Sequence, residues 1–165
     1  LKKWATKGGK IIALGGANKA FEGKEGFSLP KVEDENKSDS LALPKLYAAS
    51  ERDQITEGTP GAIVKIELDN SHPLAFGLGS AYFTLKTNNA HYPLLKEGWN
   101  VGKVGKQIQK SGFVGAKLLA KMSDTMSFGV QNIGAGKVIY LTDDPLFRGF
   151  WYQGKLLFSN ALFLN

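Results

Sequence analysis

The chain has 165 residues, 42% of them hydrophobic, with a formal net charge of +6 and no cysteine. That apolar content suits the core of one ordinary domain and excludes a disordered chain, while the missing cysteine removes a disulfide framework, a thiolate zinc site and a thiol nucleophile. No apolar run approaches a membrane span, since even the final KLLFSNALFLN is broken by Ser159 and Asn160.

Leu1, Trp4 and Ala5 share one helical face, and Gly8 stands where a left-handed helix cap takes glycine. Beginning inside this helix, with no charged-then-apolar leader, the chain reads as part of a longer one. KIIAL (10–14) follows as a short strand expected to be buried on both faces, delivered into Gly15, Gly16, Ala17 and Asn18. From Glu22 to residue 43 the texture is polar and punctuated by Gly and Pro, which predicts a long surface excursion. KLYAASERDQI then reads as a short helix or strand before the turn EGTPG.

GAIVKIELDNSHP places Val64, Ile66 and Leu68 on one face and Lys65 and Glu67 on the other, a strand with one wet face ended by turn residues. SAYFTLK and GWNVGKV are further strands, and GAKLLAKM a short helix. TMSFGVQN, the turn IGAG and KVIYLTDDP predict an antiparallel pair, so the sheet is expected to be mixed. The terminal GKLLFSNALFL is expected to pack Leu156, Leu157, Leu162 and Phe163, and the aromatics of FRGFWYQ to lie in the core.

Several candidates for chemistry stand at the ends of these strands. His72, before Pro73, reads first as a residue bonding its own turn and second as a ligand contact. Asp143 and Asp144 are a carboxylate pair suited to acid–base or metal chemistry, but neighbours in an extended segment point apart, which favours a salt link to Arg148. A binding cluster of His72, Asp143, Asp144 and Arg148 requires all four to converge on one polar pocket. His91 reads as a loop residue, and with His72 as the only other histidine the chain lacks a His-x-x-Glu zinc motif. No phosphate-binding glycine fingerprint follows GGANKAF. The positive charge is carried by scattered lysines with only Arg52 and Arg148 among them, so nucleic acid is not an expected partner.

The segments GGKIIALGGA, DNSHPLAFGLG, GAGKVIYLTDDPLFRGFW and LLFSNALF together resemble the class I glutamine amidotransferase-like domain that follows the catalytic domain in bacterial zinc carboxypeptidases (peptidase family M14). The pattern from His72 to Leu78 and Asn160 before an apolar run are also similar to the trehalose-utilisation branch of that fold. The resemblance covers nearly the whole chain and is most specific over residues 61–79 and 134–163. It implies an α/β, flavodoxin-like three-layer sandwich with a mixed sheet, here truncated at its N-terminus.

In active amidotransferase relatives the strand matching KIIAL ends at an elbow carrying cysteine, with a later histidine to activate it. Here the matching elbow is Gly15 and Gly16, and Thr142, Asp143 and Asp144 follow the later strand. The resemblance therefore implies a non-catalytic accessory domain of a secreted or envelope-associated peptidase. Its partner is the catalytic domain of the same chain, and zinc is expected only in that domain. The alternative is a module that binds a small molecule, peptide or carbohydrate.

Overall fold

A computed structural model describes residues 1–32, 52 and 54–164. It is a mixed α/β structure with one eight-stranded sheet and few helices. Helix α1 (Lys2–Thr6) leads into strand β1 (Lys10–Leu14) and a 3-10 turn at Gly15–Ala20. Strands β2 (Gly61–Leu68), β3 (Ala81–Lys86), β4 (Tyr92–Pro93), β5 (Trp99–Val104) and β6 (Lys110–Phe113) follow. Helix α2 (Ala116–Met122), strands β7 (Thr125–Ile133) and β8 (Gly136–Leu141) and helix α3 (Tyr152–Phe163) complete the order. The strand order is β1-β8-β7-β5-β2-β3, with β4 beside β7 and β6 beside β2.

The predicted β7–β8 hairpin pairs antiparallel from Phe128 with Leu141 to Ile133 with Gly136. β1 and β8 run parallel, while the other pairings are antiparallel. The sheet is therefore mixed, as the glycine turn and strand pattern indicated.

The sheet coils on itself. β3 stands four strands from β8 in the pairing order, which in a flat sheet is roughly 19 Å at the usual strand spacing. Yet Thr84 Oγ1 of β3 donates to Asp143 Oδ2, just past β8, at 3.0 Å. The rings of Tyr82 in β3 and Phe128 in β7 meet edge-to-face with centroids 5.1 Å apart. Inside the coil, Val64, Ile66, Val101, Phe128 and Leu141 form one core, closed by Leu118 and Met122 of α2 and Leu157 and Ala161 of α3. A second core on the other face joins Tyr140 and Met126 to Ala5, Phe21, Leu29 and Tyr92.

Several expectations change. KIIAL is a border strand among the described residues, so Ala13 is buried while Ile11 and Ile12 are half-buried. Residues 22–32 run over the surface and are pinned to the sheet: Leu29 is buried, and Gln131 accepts from Ser28 N–H at 2.8 Å and donates to Gly26 O at 3.0 Å. The rest of that excursion and most of KLYAASERDQI lie outside the described residues.

Helix α3 supplies another correction. Its inner face is built from Gly154, Leu157, Asn160 and Ala161, while Leu162 and Phe163 are exposed. A Cβ on Gly154 would fall 1.8 Å from Pro145 O, so the helix sits against backbone there. Phe150 and Tyr152, expected in the core, are 51% and 79% exposed.

Asn160 fastens this helix, its buried amide donating to Leu74 O at 3.1 Å and to Phe76 O at 2.8 Å. Replacing Asn160 by Leu leaves both carbonyls without that donor, and the expected loss is about 2–3 kcal/mol in urea denaturation.

Candidate functional site

β1 and β8 point their C-terminal ends the same way, and a cleft of about 710 Å3 opens there. Its walls include Gly15, Gly16, Lys19, Glu22, Asn88 and His91. The elbow turns at Gly15, whose φ of 49° lies in the left-handed region that glycine adopts without strain. Asn18 points inward, donating to Gly15 O at 2.9 Å and Leu141 O at 2.8 Å, and so holds the elbow to the end of β8. A Cβ at Gly15 or Gly16 would meet nothing within 4 Å. The elbow thus presents bare backbone, with no side chain able to attack a carbonyl.

The opposite rim is the turn from Thr87 to His91. Asn88 Oδ1 accepts from Ala90 N–H at 2.8 Å, and His91 Nδ1 lies 3.0 Å from Asn89 O. Beneath it Lys86 and Asp143, both side chains 5% exposed, pair at 3.3 Å. Lys86 Nζ also donates to Ala90 O at 2.6 Å, and Asn88 Nδ2 donates to Asp143 Oδ1 at 3.2 Å. Burial, then a hydrogen bond to Glu22, pushes the Tyr92 hydroxyl above its usual pKa, keeping it a neutral donor below the cleft.

The four residues His72, Asp143, Asp144 and Arg148 do not converge. Asp143 faces inward to Lys86, Thr84 and Asn88, whereas Asp144 is exposed and accepts from Leu146 N–H at 2.9 Å. The two carboxylates point apart, as alternation along an extended segment requires, so they form no acid–base pair. The expected salt link is absent: Arg148 pairs with neither Asp143 nor Asp144 and stacks on Phe147, 5.2 Å from the ring centroid. His72 sits at the other end of β8, where Lys137 is close enough to affect its charge.

His72 does bond its own turn, Nδ1 accepting from Leu74 N–H at 3.1 Å, and its ring lies 5.8 Å from that of Trp99. His91 lines the cleft, so the two histidines flank opposite ends of β8 and offer no shared zinc position. Among the described residues no three His, Asp or Glu side chains form a group that holds a metal ion. Nor is any described helix long and apolar enough to cross a membrane.

Sequence reasoning named Gly15 and Gly16 but missed Lys86, because its partner Asp143 is 57 positions away. The signal available was one lysine ending the strand SAYFTLK and one aspartate ending KVIYLTDD. His91 was read as a loop residue, and it is one, yet its loop is the cleft rim.

Two outcomes are expected. Lys86→Met leaves a buried carboxylate without its cation, and should cost about 3–5 kcal/mol in chemical denaturation, with part recovered by adding Asp143→Leu. Burial, only partly offset by Asp69, holds His72 below its ordinary pKa of 6.5. The unfolded chain therefore takes up the proton first, and the His72 contribution is present above pH 6.5 and lost as the pH falls below it. In thermal melts between pH 7.5 and 5, His72→Asn, which can still accept from Leu74 N–H, should flatten that acid limb. Comparison of the chain with models of protein families, with curated proteins and with solved structures finds no match.

Proposed function

We propose that this chain is a non-catalytic accessory domain, with a degenerate flavodoxin-like amidotransferase fold, of a secreted bacterial zinc carboxypeptidase. Its task is to pack against the peptidase domain and stabilise it. The observation that carries this reading is the pairing of an elbow bare of any nucleophile with an exposed apolar face. Tyr152, Leu156 and Phe163 fall on one side of α3, 79%, 38% and 81% exposed, and Phe76 beside them is 67% exposed. A Cβ on Gly77 would touch Leu156 at 3.2 Å, so the turn and the helix make one surface. Clustered exposed aromatic side chains of this kind mark contact surfaces, where burial supplies the stabilisation. The segments resembling the peptidase-linked domain, residues 61–79 and 134–163, contain all four of these residues.

The cleft favours a second reading, a module that binds a small polar molecule, a peptide or a carbohydrate. Its volume of about 710 Å3 suits such a ligand, and Lys19, Glu22 and His91 offer charge and hydrogen bonds. Gly16→Leu projects a side chain into that space. Calorimetric titration with short peptides and oligosaccharides would show a heat abolished by this variant.

The two readings separate by experiment. In this domain alone, Tyr152→Ser with Phe163→Ser should change stability by no more than about 0.5 kcal/mol, because both side chains already face water. In the full-length protein the same pair should lower the melting temperature of the peptidase domain and speed its inactivation. An unchanged melting temperature and unchanged carboxypeptidase activity, for this variant and for deletion of the whole domain, would overturn the accessory reading.

A further inference from the structure

Under the cleft rim lies a small interior cavity with about 10 Å3 for the centre of a water molecule, the room one water needs. Its walls carry Thr84, Lys86, Thr125, Ser127, Thr142 and Asp143 among apolar neighbours such as Val64 and Met126. Ser127 is 2% exposed, and its Oγ is buried without a hydrogen-bond partner among the described residues. A buried hydroxyl left in that condition costs on the order of 1–3 kcal/mol, so a bonded partner is strongly favoured.

We propose that this cavity is a binding site for one structural water, joining Ser127 of β7 to the carboxylate of Asp143. The other side chains are already committed in ways that leave room for it. Thr84 Oγ1 donates to Asp143 Oδ2 and Thr125 Oγ1 donates to Met122 O at 2.6 Å, so both oxygens keep acceptor capacity. Lys86 Nζ donates to Ala90 O, Asn88 Oδ1 and Asp143 Oδ1, which uses its three hydrogens. A water accepting from Ser127 Oγ–H and donating to Asp143 and to a threonine oxygen makes three bonds, the usual number for a buried water. A metal cation is disfavoured at this position by the Lys86 ammonium in the same wall.

The site extends the ion pair. With the water in place Asp143 is tied to β3 through Thr84 and Lys86 and to β7 through Ser127, so one carboxylate gathers both sides of the coiled sheet.

A crystal structure of the chain, fine enough to resolve ordered waters, tests this directly. The expected result is one density peak at hydrogen-bonding distance from both Ser127 Oγ and the Asp143 carboxylate. A dry cavity, or a Ser127 hydroxyl bonded to another protein group, would overturn the proposal. Denaturation of Ser127→Ala provides an independent readout. With the water the folding equilibrium constant should fall roughly tenfold. In a dry cavity removing the orphaned hydroxyl leaves it unchanged or raises it, and that outcome would equally count against the water. Should the variant fail to fold, the density in the wild-type protein decides.

Discussion

Asp143 is the residue on which the architecture turns. It follows the last strand, where a carboxylate would ordinarily face solvent, and instead points inward to Thr84, Lys86 and Asn88. Those partners belong to β3 and the turn after it, the far border of the sheet in pairing order. The coiling of the twisted sheet brings β3 toward the end of β8, and the ionic contact holds them together. An unpaired charge in that interior would be costly enough to open the coil, so the pair stabilises the curvature even where its own net contribution is small.

The same contact organises the candidate site. Lys86 reaches Ala90 O and Asn88 Oδ1, which sets the turn that forms one wall of the cleft. Asn18 ties the opposite wall to Leu141 O, two residues before Asp143. The cleft is thus a consequence of how β1, β8 and β3 end, with Gly15 and Gly16 in one wall.

Helix α3 shows how close packing of small residues shapes the surface. Gly154 brings the helix against the backbone of Pro145, past the end of β8, and Asn160 locks it to the Pro73–Ala75 turn. The helix buries Gly154, Leu157, Asn160 and Ala161 on one side and leaves Tyr152 and Phe163 facing outward. The apolar surface that carries the accessory-domain reading arises from this docking and not from hydrophobicity alone.

The strands 61–68 and 125–141 were legible because alternation and a two-glycine turn are local signals, set by period and backbone freedom within a few residues. The turn at His72 was equally local, its Nδ1 accepting from Leu74 N–H two residues away. Strand β6, Lys110–Phe113, escaped because its residues are exposed and carry no alternation. The outward face of α3 escaped because composition shows which residues are apolar and not which side Gly154 brings against the Pro145 backbone. By itself the sequence determined a mixed α/β chain, its main strands and a glycine elbow without a nucleophile. Tertiary structure alone decided that Asp143 meets Lys86, that His72 and His91 lie at opposite ends of β8, and which aromatics face solvent. Those outcomes depend on the coiling of the sheet, which brings together residues tens of positions apart and leaves no trace in any local pattern.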